Sequence, residues 1–397
     1  MTPNPKEEVT AVAENVESFK NTVCDKNSLN VINESREFPA NLPGPEYTME
    51  LVWRNIIIFA ILHILCIVNF FVDKKWETIM FAILYAFMSG FGVTAGAHRL
   101  FSHNSYKTNT ALKILLLFFQ SISFQNSAYE WSRDHRVHHK YTDTNADPHN
   151  VRRGFFFSHM GWLLCKKHPD VFKFGSRVSM ADLEADKYVM FQHRHFLPIM
   201  FLASIVIPVF IPCYFWNESF WASFLFVGIF RYVLTLHITW LINSAAHTYG
   251  MKPFDQNISP SDSYLVGFLA IGEGWHNYHH VFPYDYKTSE LSFYTFNLTT
   301  AFIDFFAWIG WAHNLKTVSV DMIRKRVCRT GDGSHRFSKE LKQKSDEELI
   351  KDFVLKKTID ENGNMIHGSD GLVWGYEDAM MSQEDKNCIK VLNPHVD

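Results

Sequence analysis

Cysteine pairing is the first thing this chain lacks. Its six cysteines (Cys24, Cys66, Cys165, Cys213, Cys328 and Cys388) are scattered, and no two stand in C-x-x-C spacing. That excludes a zinc ribbon and a disulfide framework, and the thiols read as reduced. A strong net charge is also missing. Lys and Arg number 38 against 41 Asp and Glu, and the resulting −3 argues against nucleic acid as a partner. The first fifty residues contain no apolar run, so no cleaved signal peptide is expected there. Met1–Pro45 mixes Glu, Lys, Asn and Pro without periodicity and reads as a disordered tail. A mean hydropathy of −0.09 suggests a soluble protein, but the average hides long apolar runs between polar ends.

Four of those runs, about 56–72, 77–97, 197–216 and 221–246, have the length needed to cross a bilayer. Asp73-Lys74-Lys75-Trp76 is a short turn that makes the first two a hairpin, and Pro198, Pro208 and Pro212 imply kinks in the third. Four crossings place both tails and both long polar regions on one side. The excess of basic residues in those regions makes that side cytosolic, with Lys74 and Lys75 as a minor violation. Ala111–Phe124 is apolar but short, suited to the interface or to packing beneath a site. Tyr294–Trp311 reads as an interfacial helix. Gly331–Asp397 is charged and reads as a loosely ordered tail without nameable chemistry. The expected organisation is a polar tail over 1–50, one membrane domain over 51–333, and a charged tail over 334–397.

The abundant residue is histidine, with twenty copies. His135-x-x-His138-His139 recurs as His276-x-x-His279-His280, and His98 and His103 form a related pair. A fourth piece, Asn243-Ser-Ala-Ala-His247, ends the last apolar run. On a helix, residues three and four apart share a face, so imidazoles at this spacing can reach one metal centre. Nine imidazoles are too many for one tetrahedral zinc and suit two metals with four or five ligands each. Ligand type alone does not choose among Zn, Cu, Fe and Ni. Asn243, one turn before His247, can hold a metal-bound water. Glu130, Asp134, Asp143, Asp147 and Glu273 are near enough in sequence to orient the imidazoles. His149, in the turn Asp147-Pro148-His149-Asn150, is expected to fix its loop rather than bind metal. His63, His159, His168, His193, His195, His237 and His313 fall outside these clusters.

The segments Thr94–Leu100, Asp134–Lys140, Asn243–His247 and Gly272–His280, with Arg153–His159 and Arg329–Gly333, resemble the membrane acyl-CoA desaturases, which include the stearoyl-CoA desaturases. The likeness runs from about Leu51 to Gly333 and is strongest to the insect branch. It implies an all-α membrane fold in which four transmembrane helices carry a cytosolic helical cap with a di-iron centre. It also implies an endoplasmic reticulum enzyme that takes O2, a fatty acyl-CoA and electrons from cytochrome b5 and its reductase. Nine ligands carry over onto His98, His103, His135, His138, His139, His247, His276, His279 and His280, with Asn243 acting through water. No catalytic residue is implied beyond the metals. Phe101 stands where the family commonly has Trp, a packing difference between two ligands.

The family's acyl-CoA contacts fall on Asn55, Asn126, Trp131, Arg133, Asp134, Lys166, Lys167, Thr239 and Trp240. Lys166, Lys167 and Arg133 suit phosphates by charge, and Trp131 and Trp240 are candidates to wall an acyl tunnel. Ala86 and Gly90, small residues on the second apolar run before His98, are candidates for setting chain length. Delta-9 insertion is the expected regiochemistry. Delta-11 or another pheromone-type position, and a di-iron fatty acyl hydroxylase, are the alternatives. A metal transporter would instead place its ligands deep within the spans.

Overall fold

The apolar runs fold as helices whose ends are set by polar turns. The computed structural model describes residues 48–291, 294–338, 373–379, 381 and 383–394. Helix α1 spans Trp53–Asn69, and α2 spans Trp76–Ser102. Helix α3 is Thr110–Ser123 and α4 is Ala128–Lys140. After several short helical pieces come α5, Phe196–Trp216, and α6, Phe220–His247. Three later ones are α7, His276–Val281; α8, Leu298–Trp308; and α9, Val320–Thr330, and a short helix, Gln383–Cys388, follows them. Two short antiparallel ribbons complete the described fold. In the first, β1 (Lys107–Thr108) pairs with β2 (Ala312–His313); in the second, β3 (Leu315–Val318) pairs with β4 (Ile389–Leu392).

Among the described residues, α2, α5 and α6 are long and apolar enough to cross a membrane. Helix α1 has 17 residues and ends at Asn69, before the expected Val72. At 1.5 Å per residue it is roughly 25 Å long, short of a hydrocarbon core of about 30 Å. Its length alone therefore does not make it a fourth span. The two hairpin turns meet at one end of the helices. Glu218 Oε2 accepts from the Lys75 backbone N–H at 2.9 Å and the Thr78 hydroxyl at 2.6 Å. Lys75 Nζ donates to the carbonyls of Trp216 and Asn217. These two carbonyls give the Lys75 ammonium fixed acceptors at that end.

Helix α2 departs from the expected end at Ala97. It continues to Ser102, and its last part, Gly92–Ser102, is a π-helix. Close packing against α3 accompanies the change. A Cβ on Gly92 would lie 2.2 Å from the backbone of Phe119 and Gln120, so only glycine lets the two helices touch there. Helix α3 thus packs beneath the histidines, with Leu112, Leu116, Leu117 and Phe119–Ser123 buried. Helix α8 is too short to span. It buries Thr299, Thr300, Ile303 and Phe306 and leaves Phe305 and Trp308 exposed, as an interfacial helix would.

The C-terminal region is not uniformly a loose tail. Strand β4 pairs along the full length of β3, and Val373 and Trp374 are buried. The charged composition of 334–397 concealed these few apolar anchors. The expectation for Met1–Pro45 lies outside the described residues.

Candidate metal centre and substrate cavity

Helix geometry brings the histidines together, but not in the grouping the spacing suggested. His98, His103, His135, His139 and His279 form one group. His138, His247, His276 and His280 form a second, and within each the candidate ligand atoms lie within 4.8 Å of one another. Each H-x-x-H-H box is therefore split. At about 100° per residue, position 138 falls roughly 60° to one side of 135 and position 139 roughly 40° to the other. His135 and His139 then share a group while His138 turns to its neighbour. Helix α7 repeats the division, sending His276 and His280 one way and His279 the other. His98 and His103 meet only because α2 is a π-helix there. On an α-helix, five residues would leave them about 140° apart. The i→i+5 turn, closed by the His103 N–H on the His98 carbonyl at 3.2 Å, brings them edge to face with ring centroids 4.8 Å apart.

The Nε2 atoms converge in both groups. His98 to His279 is 2.8 Å, His103 to His135 and His139 to His279 are 3.0 Å, and His247 to His276 is 3.0 Å. Burial and the crowd of neighbouring imidazoles hold His103, His135, His139, His276, His279 and His280 well below the ordinary histidine range. They are neutral near pH 7, with lone pairs available. Two ligands about 2.1 Å from one ion and at right angles stand about 3 Å apart, the separation found here. Buried neutral imidazoles converging at that distance fit a cation in each group.

Four of the opposite ring nitrogens meet partners outside the groups. His98 Nδ1 lies 2.8 Å from Glu273 Oε2, and His138 Nδ1 lies 2.8 Å from Asp147 Oδ1. Burial opposes the charge on Glu273, but Arg99 and His98 beside it hold its carboxyl down at about 2. Arg99 is itself fully buried and also donates to the Tyr286 carbonyl, the Thr300 hydroxyl and Asn297 Oδ1. His247 Nδ1 meets Ser259 Oγ, which donates to Asp143. His103 Nδ1 donates to the carbonyl of Trp374. Asp143 thus acts at one remove. Glu130 instead closes the capping box of α4 with Ser127, and Asp134 pairs with Lys167 and Arg133. Sequence reading missed Ser259 and Trp374. Ser259 carries no spacing signal, and Trp374 is far along the chain in a charged region.

His149 is buried, its ring 4.4 Å from Trp162 and its Nδ1 4.0 Å from Asp147. Asp147 Oδ1 also accepts from the His149 backbone N–H at 2.9 Å, so the residue belongs to the loop that carries Asp147. Among the histidines outside the boxes, His63, His237 and His159 form a hydrogen-bonded row at 3.0 Å per step. The row ends on the Phe59 carbonyl and Ser244 Oγ, which satisfies these half-buried polar groups.

A cavity of about 280 Å³ opens on both histidine groups. Ala86, Gly90, Trp131, Thr239 and Asn243 line it alongside His98, His135, His138 and His276, and apolar side chains of α2, of α6 and of Leu269, Ala270 and Ile271 form most of the remaining wall. Thr239 Oγ1 accepts from Gln125 Nε2 at 3.0 Å across it. The other expected substrate contacts lie elsewhere. Trp240 is buried behind the wall, against Phe59 and His237. Its one-residue offset from Thr239 turns it about 100° around α6. Asn55 Nδ2 donates to the Leu163 carbonyl at 2.8 Å, bracing the segment before Lys166 and Lys167. Asn126 is an exposed turn residue at φ 65° whose carbonyl accepts from Gln120. Lys166 pairs with Glu50 in solvent at 2.6 Å. Burial would raise the Asp134 carboxyl, but Lys167 and Arg133 hold it below the usual range.

A family profile described as fatty acid desaturase matches residues 74–314. An acyl-CoA Delta-9 desaturase of Acheta domesticus is 53% identical over 300 residues, 75% of this chain and 83% of its own length. An acyl-CoA Delta(11) desaturase of Trichoplusia ni is 49% identical over 286 residues, 71% and 82% of the two chains. The human stearoyl-CoA desaturase is 48% identical over 295 residues, 74% and 82%.

Proposed function

Because this chain belongs to the fatty acid desaturase family, we propose that it inserts a double bond into a saturated fatty acyl-CoA at a di-iron centre. The observation that carries this reading is one cavity whose lining joins small and apolar residues, Ala86 and Gly90 among them, to histidines of both groups. A saturated chain threaded there would present its methylenes to the metals and its methyl end to small side chains.

Five imidazoles (His98, His103, His135, His139 and His279) would hold one iron. His138, His247, His276 and His280 would hold the other, with Asn243 acting through water. Bound iron would supply an oxidant strong enough to break an unactivated C–H bond, which acids, bases and nucleophiles cannot do. The balance is two hydrogens from adjacent carbons, one O2, two electrons and two protons, giving an alkene and two waters. The chain's own residues bind and orient. Trp131 and Thr239 flank the acyl chain near the histidines, and Glu273, Asp147 and Ser259 hold the imidazole tautomers. Lys167 and Arg133 attract the coenzyme A phosphates.

Further elements of the reading are delta-9 insertion and electrons from cytochrome b5 and its reductase. So are residence in the endoplasmic reticulum membrane, α1 as a fourth span, and a cytosolic cap with both termini on the cytosolic side. The delta-9 position rests on the similarity to the cricket enzyme. Expression in yeast lacking its own desaturase, followed by mass-spectrometric location of double bonds, tests the core claim. A product two hydrogens lighter, unsaturated at carbon 9, is expected. A bond at carbon 11 or 12 would revise the position, and a product one oxygen heavier would replace desaturation with hydroxylation.

A further inference from the structure

The described C-terminal residues 373–379 do something that the histidine boxes do not require. They lie beyond the family match and reach back to one metal-facing histidine. His103 Nδ1 donates to the carbonyl of Trp374, and the Tyr376 N–H donates to the carbonyl of His103 at 3.1 Å. Gly375 between them lies so close that a Cβ there would stand 2.6 Å from the His103 carbonyl oxygen and 2.8 Å from its Cα. The Arg136 guanidinium sits 3.9 Å over the Trp374 ring, and Lys140 pairs with Asp378 at 3.2 Å. Asp378 in turn accepts from the Trp374 N–H at 3.0 Å. Both Arg136 and Lys140 belong to α4, the helix that carries His135, His138 and His139.

We propose that this segment is a clasp that completes the five-histidine iron site, with Trp374 as a positioning residue for His103. A carbonyl can only accept, so the proton must sit on Nδ1 and the lone pair on Nε2 must face the group. His98, His138 and His247 receive the same service from Glu273, Asp147 and Ser259. Without the clasp, the His103 ring is free to take the other tautomer, which cannot bind metal through Nε2. The inference rests on the di-iron reading above.

The test uses the full-length protein purified in detergent, with iron content and the rate of iron release to a chelator as readouts. Losing an outer-shell partner weakens metal affinity about 10- to 100-fold. Gly375→Val, which drives the clasp off His103, should therefore release iron at least about tenfold faster than the parent. Trp374→Phe keeps the carbonyl and an aromatic face for Arg136 and should release it at the parental rate. Should Gly375→Val elute as aggregate, Asp378→Ala, which cuts the tie to Lys140, is measured in its place with the same expectation. Parental release rates in the folded clasp variant would overturn the inference. A parent that purifies without iron would instead overturn the di-iron reading beneath it.

Discussion

At the scale of single residues, each candidate role has its own signature. His139 Nε2 stands 3.0 Å from His279 Nε2, and its ring stacks on His280 at 4.1 Å, so it lies between the two groups. His139→Ala should lower product at least about a hundredfold in the yeast assay while membrane insertion persists. His193→Ala should cost far less, since His193 lies outside both groups, hydrogen-bonded to Ser127 and packed against Tyr129. Lys167 is paired with Asp134 rather than free, so Lys167→Glu both repels phosphate and faces a like charge. Its apparent KM for acyl-CoA should rise about tenfold, the value of one charge-assisted hydrogen bond, with iron content unchanged. An unaltered KM would remove coenzyme A from that corner. Ala86 lines the cavity, so Ala86→Tyr should exclude the methyl end of long chains. Displacing two methylenes costs about 1.6 kcal/mol, roughly a fifteenfold shift toward shorter acyl-CoAs in direct competition. A uniform loss at every length would indicate packing damage instead.

At the scale of elements, the histidine spacings were legible and the backbone that uses them was not. Six of the nine imidazoles could be picked out because H-x-x-H-H repeats, and His98, His103 and His247 because their motifs end apolar runs, but the expectation that one box can reach one centre overlooked the angle between positions 138 and 139. The run to His103 looked like a helix followed by a polar loop, because hydrophobic periodicity does not register a change from four- to five-residue turns. Gly92 and Gly96 carried the signal in hindsight, since both stand in the π segment against α3. They also make a paired prediction. A Cβ at Gly96 would meet Leu116 at an ordinary 3.4 Å, whereas one at Gly92 would overlap α3 backbone. Gly96→Ala should therefore purify and melt like the parent, while Gly92→Ala should lose roughly 3 kcal/mol or fail to fold. Thermal unfolding of both in detergent decides; equal behaviour would mean that α2 and α3 can separate.

At the scale of the whole molecule, the order of apolar and polar segments carried most of the architecture. Hydropathy placed α5 and α6 within a residue of their observed limits, and it placed all the histidine boxes at helix ends or in polar regions. It could not foresee that residues near the C-terminus return to the centre, because such a contact is made by a few residues across more than 270 positions of sequence. The split boxes have one more consequence, which concerns how the protein fills rather than how it works. Helices α4 and α7 each lend imidazoles to both groups, so on the proposed di-iron reading the first ion captured would fix most of what the second needs. Loading should then be cooperative, in the way that a prepaid ordering cost favours the next ligand. When apo protein is given one iron per chain, native mass spectrometry should find mostly empty and doubly filled molecules. A dominant singly filled species would show that the two sites fill independently.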